Sequence, residues 1–194
     1  MTPAPVRVQG LLLAAGAGRR MGMPKALVHD ADGASWLVRA VEVLRAGGCP
    51  EVTVVLGAGA AEARGLLAGT PAEVVLAPDW ADGMAASLRA GLRALDPALA
   101  EAALVSLVDL PDVGPEVVAR VLAAADGSAV DALARATYDG RAGHPVLLGR
   151  AHWAGVLADA AGDAGARGYL AEHGARGIEC GDLATGRDVD RRPG

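Results

Sequence analysis

Short apolar runs alternate with amphipathic stretches along the first 125 residues of the chain. Residues 6–13 are mainly apolar, with one Arg, one Gln and one Gly among them, which predicts a buried strand. The same reasoning predicts further strands over 51–56, 73–76 and 102–108, and helices over 36–46, 60–67, 83–94 and 115–124. This alternation indicates an α/β fold, a mostly parallel sheet with helices on both faces. Ligands bind such sheets at the carboxyl ends of the strands.

The pattern changes after about residue 130. A strand over 129–137 runs into the turn pair Asp139-Gly140 and a second strand runs through Val146, which predicts a hairpin. Helices over 153–160 and 165–173 follow, and short strands over 177–179 and 187–190 end the pattern. We expect this C-terminal hairpin and irregular half to cover a site built on the parallel half.

The composition is that of a folded globular protein. The chain has 194 residues, 52% hydrophobic and 21% charged, and we expect one domain spanning residues 1–194. A net charge of −5 argues against non-specific nucleic-acid binding, and no apolar run approaches the roughly 20 residues that span a bilayer. The first seven residues lack signal-peptide features, and Cys49 and Cys180 lack metal-type spacing. A cytoplasmic protein with reduced thiols is therefore expected.

The segment after the first predicted strand carries phosphate-binding chemistry. Residues 16–25 contain three glycines, two arginines and Lys25, the only lysine among 18 basic residues. Glycines let backbone N–H groups approach a ligand, and basic side chains add positive charge, a combination that suits a polyphosphate. The spacing G-x-G-x-x-x-G is not the dinucleotide fingerprint, and Lys25 between Pro24 and Ala26 is not in a Walker A loop.

Six short motifs recur in the order found in one enzyme family. They are LAAGxGxRMGxxK over 13–25, DWxxGMxxSLxxG over 79–91, DLP over 109–111, GHP over 143–145, GDxGAR over 162–167 and DVD over 188–190. Together they resemble the molybdenum cofactor cytidylyltransferase-like group of the MobA-like NTP transferase superfamily. The resemblance covers nearly the full chain and implies a three-layer, Rossmann-like nucleotidyltransferase fold.

A metal site is predicted at the end of the fourth strand. Asp109 follows an apolar run directly, so its carboxylate is held at the sheet edge, and Mg²⁺ prefers one or two carboxylates plus phosphate oxygens. We expect Asp109 and Asp190 to bind Mg²⁺, with Asp188 the less favoured second ligand. Instead of binding metal, Asp109 could form a turn, and Asp188 and Asp190 could belong to a solvated tail whose charges pair with neighbouring arginines. The sequence departs from the family pattern here, because residues 191–194 are Arg-Arg-Pro-Gly where the family typically has Thr-Pro-Glu-Asp.

The resemblance also implies a nucleotide site. Its residues are Leu13, Ala14, Ala15, Gly16, Gly18, Arg20, Lys25, Gly83 and Ser87. Arg20 would hold the β- and γ-phosphates, and Lys25 would lie near the α-phosphate, so that Lys25, Arg20 and Asp109 are the expected catalytic residues. Ser87, one helical turn after Gly83, would hydrogen-bond the base or ribose; the alternative is an ordinary exposed helix serine.

Three later residues are candidates for binding the acceptor, which is the phosphorylated molecule that receives the nucleotidyl group. His144 is either a catalytic base or, preferably, a loop histidine that hydrogen-bonds the backbone or the acceptor. Asp163 and Arg167 would meet the acceptor's pterin or phosphate; a helix N-cap and a surface arginine are the alternatives.

The implied reaction is Mg²⁺-dependent transfer of CMP from CTP to the terminal phosphate of molybdopterin. Guanylyl members commonly have Gly where this chain has Ala15, and the extra methyl should crowd guanine. GMP transfer, transfer to another phosphorylated metabolite, and a non-catalytic cofactor carrier or chaperone remain alternatives. The implied partners are the NTP, a molybdopterin-type acceptor, and a downstream molybdoenzyme or its chaperone, without nucleic acid or membrane.

Overall fold

The computed structural model describes residues 7–125 and 128–190. The strands are β1 Val8–Ala14, β2 Val52–Leu56, β3 Glu73–Leu76, β4 Ala102–Leu107, β5 Leu133–Tyr138, β6 Arg141–Gly149 and β7 Arg176–Glu179. The α-helices are α1 Trp36–Ala46, α2 Ala60–Leu66, α3 Met84–Ala94, α4 Pro115–Leu122, α5 Arg150–Asp159 and α6 Arg167–Glu172. Short 3₁₀ turns occupy Lys25–Leu27, Trp80–Asp82 and Gly162–Ala164.

One seven-stranded sheet, in the order β3-β2-β1-β4-β6-β5-β7, forms the middle layer. The strands β3, β2, β1 and β4 run parallel, as the alternation of strands and helices predicts. The interior strand β1 is buried on both faces, with Leu11 and Leu12 fully enclosed. Leu12 packs in a cluster that includes residues of α1 and α4, and Leu11 packs on the opposite face with residues of α3, α5 and α6. The predicted three-layer α/β fold is confirmed.

The hairpin of β5 and β6 extends this sheet. Strand β6 pairs antiparallel with both β4 and β5, and β7 then pairs parallel with β5. The hairpin is therefore built into the middle layer and is not a separate cover. The C-terminal segment that borders the cleft is the 3₁₀ turn Gly162–Ala164, which packs against α3.

The predicted strand over 187–190 is wrong. Its residues form no strand; instead Val189 N–H donates to Asp109 O at 3.0 Å, which ties the segment to the end of β4. The segment has one apolar residue among charged ones, so it lacks the side chains that pack a strand into a sheet. The altered tail, 191–194, lies outside the described residues.

Within the described residues, none of the helices has the length and apolar character that a membrane crossing requires.

Candidate functional site

A cleft of about 370 Å³ opens at the carboxyl ends of β1 and β4. This is where a parallel sheet leaves unpaired backbone groups and helix N-termini facing a ligand. Its lining residues are Leu13, Ala14, Ala15, Gly16, Ala17, Gly18, Arg19, Lys25, Trp80, Gly83, Met84, Ser87, Leu107, Val108, Asp109 and Asp163. The volume is within the range of small-molecule pockets, about 300–1,000 Å³.

The loop after β1 folds back on itself beneath the cleft. Gly18 O accepts hydrogen bonds from the N–H groups of Met21 and Gly22 at 2.8 and 2.9 Å, and Lys25 N–H donates to Gly16 O at 3.3 Å. Gly18 has φ +57°, and a Cβ added there would lie 2.0 Å from Met23 O. A larger residue at position 18 would therefore open the loop and displace Lys25.

Lys25 lies between two carboxylates. Its Nζ donates to Asp109 Oδ2 and, at 2.8 Å, to Asp190 Oδ1. Burial alone would lower the pKa of Lys25, but the hydrogen bonds and charges of Asp109 and Asp190 outweigh it and raise that pKa. The hydrogen bond and charge of Lys25, joined by those of Arg20, hold the pKa of Asp190 below its usual range. Lysine is thus a fixed cation in contact with the predicted metal ligands.

Asp109, Asp188 and Asp190 form a carboxylate cluster whose ligand oxygens lie within 4.8 Å of one another. Three carboxylates are the donor type that hard divalent cations such as Mg²⁺ and Mn²⁺ prefer. The Lys25 ammonium in contact with two of them demonstrates that a positive charge is accommodated there. The residues therefore fit a divalent metal ion.

The other end of the cleft is suited to a base and ribose. Ser87 is only 6% exposed and lines the cleft, so it is not an ordinary surface serine. Gly83 has φ +104°, and a Cβ there would lie 2.6 Å from Asp163 Oδ1, so only glycine fits. The side chains of Trp80 and Met84 add apolar surface beside these residues.

The predicted acceptor residues lie around a side pocket of about 80 Å³ next to the cleft. His144 and Arg167 line this pocket, and Asp163 lines both it and the cleft. Burial, together with the charges of Arg135 and Arg167, lowers the pKa of His144 to about 4. At neutral pH the imidazole is therefore uncharged, so it can accept as well as donate a hydrogen bond.

The structure brings together most of the predicted nucleotide and metal residues. The exception is Arg20, whose side chain is 75% exposed and pairs with Asp190 at 2.8 Å, whereas its neighbour Arg19 lines the cleft. Sequence reasoning did not select Arg19, Trp80 or Arg135. A loop with two adjacent arginines does not indicate which one faces inward. Arg135 could have been selected because it is the one charged residue of its strand, Leu133–Tyr138.

Comparison with known proteins agrees with this geometry. Residues 10–177 match the MobA-like NTP transferase domain. The chain is 36% identical over 190 residues to nicotine blue oxidoreductase of Paenarthrobacter nicotinovorans, covering 94% of this chain and 92% of that protein.

Solved structures agree as well. The fold matches Rv0371c from Mycobacterium tuberculosis H37Rv with a TM-score of 0.79 and 28% identity, over 97% of this chain and 95% of that one. A structure of Rv0371c in complex with manganese matches with a TM-score of 0.74 and 28% identity, over 95% and 94% of the two chains. The domain match covers well over half of the chain, and the parallel sheet, glycine loop and carboxylate cluster are consistent with it. The chain belongs to the MobA-like NTP transferase family and is a nucleotidyltransferase.

Proposed function

We propose that the protein transfers CMP from CTP to the terminal phosphate of molybdopterin, with or without bound molybdenum. The observation that carries the proposal is the contact of Lys25 with the carboxylate cluster, directly beside the glycine loop. A nucleotidyl transfer needs a phosphate cradle, a divalent metal site and a fixed cation within reach of one another. The six-motif resemblance supports the choice of acceptor.

The chemistry is an in-line displacement. A terminal phosphate oxygen of the acceptor forms a bond to the α-phosphorus of CTP, the bond from that phosphorus to the bridging oxygen breaks, and pyrophosphate leaves. The attacking phosphate is already ionised at neutral pH, so no side chain has to remove a proton. The tasks of the protein are alignment of the two substrates and stabilisation of the charge that develops on the leaving group.

The residues divide these tasks. Backbone N–H groups of residues 14–18 would hold the phosphates, Arg19 and Arg20 would contribute charge at the β- and γ-phosphates, and Lys25 would turn from the carboxylates to the α-phosphate. Asp109 and Asp190, with Asp188 beside them, would hold Mg²⁺. A bound Mg²⁺ supplies positive charge that neutralises the phosphates and the carboxylates.

CTP is the proposed donor because of Ala15. This residue is 3% exposed and lines the cleft, so a larger base has to accommodate its methyl group. A GMP-transferring enzyme is the neighbouring alternative. A molybdoenzyme, or the chaperone that loads it, is the proposed recipient of the product.

Thermal shift measurements with CTP, GTP, ATP and UTP, each with and without Mg²⁺, test the proposed donor and metal. Ligand binding to the folded state raises the melting temperature by mass action, so CTP with Mg²⁺ should give the largest increase. Equal shifts for all four nucleotides would argue against CTP, and equal shifts without Mg²⁺ would argue against the metal site.

A second candidate is an oxidoreductase. The 36% identity to a nicotine blue oxidoreductase favours it, and the Trp80 and Met84 surfaces offer an apolar wall for a planar ring. Reduction of nicotine blue by a supplied electron donor in the presence of the protein would support it. The absence of the dinucleotide fingerprint and the presence of the carboxylate cluster favour nucleotidyl transfer.

A further inference from the structure

The side pocket is lined by Arg135, a half-buried arginine with one buried and unused donor. Arg135 on β5 donates from Nη2 to Gly143 O at 3.3 Å, but its buried Nε has no hydrogen-bond partner within the described residues. A buried donor without a partner loses its hydration and gains nothing in exchange. It is satisfied only if the side chain turns towards an acceptor atom that a ligand or water brings into the pocket.

A second guanidinium faces the same pocket. Burial, and then the charge of Arg167, lower the pKa of Arg135 below the usual arginine range. Among residues 7–125 and 128–190, neither Arg135 nor Arg167 has a salt-bridge partner. Asp163 also lines the pocket, so two positive charges face one negative charge and a net positive charge remains. An anion would relieve the repulsion between the two guanidinium groups.

The shape of the pocket limits what can enter. At about 80 Å³ it is far below the roughly 300 Å³ of a pocket that encloses a whole small molecule, so it accommodates one group of a larger ligand. It shares Leu13, Met84 and Asp163 with the nucleotide cleft, so a group held in it lies next to that cleft. Its remaining walls include Leu88, Val146 and Leu148, which contribute no competing charge.

We propose that Arg135 and Arg167 form an oxyanion site that binds the phosphate monoester of the acceptor beside the nucleotide cleft. The side chain of Arg135 would turn so that its Nε donates to the phosphate, and Arg167 would donate from its planar fork. Uncharged His144 would add a neutral donor. This inference rests on the proposed nucleotidyl transfer for its assignment to the acceptor. The oxyanion site itself can be tested without any turnover.

The test is a titration of the full chain with inorganic phosphate, followed by NMR of the arginine Nε–H signals. The Arg135 signal is identified by its disappearance in Arg135→Lys. We expect a saturable shift of this signal in the wild type and in Lys25→Ala, which weakens phosphate binding in the neighbouring cleft. Arg167→Gln should raise the dissociation constant about tenfold or more, because a charge-assisted hydrogen bond is lost. Arg141→Gln is the matched control, because Arg141 lies on the same hairpin and its side chain is exposed. This variant should leave the dissociation constant for phosphate unchanged.

Two results would overturn the site. One is the lack of a saturable shift in the wild type; the other is a shift that Lys25→Ala abolishes and Arg167→Gln preserves. If the site binds acetate as tightly as phosphate, it does not distinguish a phosphate from a carboxylate, and the phosphate assignment is overturned. If phosphate binds as expected but CTP and molybdopterin give no product, the proposed function fails and the oxyanion site stands. If product forms but phosphate does not bind, only the site fails.

Discussion

At the residue scale, Lys25 links the glycine loop to the carboxylate cluster. The loop geometry around Gly18 brings it next to Asp109, and the segment that returns to β4 brings it next to Asp190. Its ammonium therefore neutralises carboxylates that a divalent cation would otherwise bind. A metal ion bound by these carboxylates would displace the ammonium, and the displaced group could then contact a phosphate.

Lys25→Met should consequently bind Mn²⁺ more tightly than the wild type in the absence of nucleotide. Loss of the competing ammonium should lower the dissociation constant by about tenfold, the effect of one partly exposed charge-assisted contact. Isothermal titration calorimetry measures this constant directly. Arg20→Gln, which removes the exposed partner of Asp190, should have a smaller effect. Weaker binding in Lys25→Met than in the wild type would contradict the competition.

Ala15 provides a second prediction at this scale, on the choice of base. Ala15→Gly removes the methyl group that should crowd guanine, so the ratio of kcat/KM for GTP to that for CTP should rise by about tenfold. Steady-state kinetics with both nucleotides measures the ratio. Ala17→Gly is the matched control, since Ala17 also lines the cleft. If the GTP-to-CTP ratio of kcat/KM rises equally in Ala15→Gly and Ala17→Gly, Ala15 does not determine the choice of base.

At the element scale, hydrogen bonds to Glu179 connect the end of β7 with the hairpin that carries Arg135 and His144. Its carboxylate accepts hydrogen bonds from Thr137 Oγ1 at 2.8 Å, from Gly181 and Asp139 N–H at 2.9 Å, and from Gly140 N–H at 3.2 Å. The hydroxyl of Thr137, followed by these backbone donors, lowers the pKa of Glu179 from 4.5 to about 2. One ionised side chain thus organises the turn and the strand beside it.

This depressed pKa predicts a pH dependence of stability. A carboxyl group with a lower pKa in the folded state stabilises that state above its unfolded pKa and loses the contribution as the pH falls towards its folded pKa. The wild type should therefore lose part of its free energy of unfolding between about pH 4.5 and pH 2. Urea denaturation should reveal a smaller loss over that window for Glu179→Gln than for the exposed control Glu172→Gln. Identical pH profiles of the two variants would refute the role of Glu179.

The sequence pattern predicted the boundaries of a helix or strand best where a capping or turn residue stands at the boundary. Helix α1 runs from Trp36 to Ala46 as predicted, because Ser35 Oγ accepts a hydrogen bond from Val38 N–H and Gly47 follows the last turn. Strand β5 begins only at Leu133, later than the predicted residue 129, and α5 begins at Arg150, earlier than the predicted residue 153. Gly149, the N-cap residue of α5, has no side chain that could cap the helix and mark its start.

At the scale of the whole molecule, the parallel half supplies most of the main cleft, and the side pocket lies between the two halves of the chain. Residues far apart in sequence meet here: Lys25 with Asp190, and Gly83 with Asp163. The motifs predicted that these residues belong to one site. The contacts themselves depend on strand order and on the path of residues 187–190, which a local pattern does not contain. The exposure of Arg20 and the unpaired Nε of Arg135 could not be predicted for the same reason.

The most direct test of nucleotidyl transfer is pyrophosphate release from CTP by the purified full chain. We predict release only when molybdopterin and Mg²⁺ are both present, and a loss of about 10²–10³-fold in turnover for Asp109→Asn and for Lys25→Ala with folding intact. Circular dichroism provides the folding control for both variants. Absence of release from the wild type with all components present would contradict nucleotidyl transfer to this acceptor, and near-normal turnover of Lys25→Ala would contradict the assigned site.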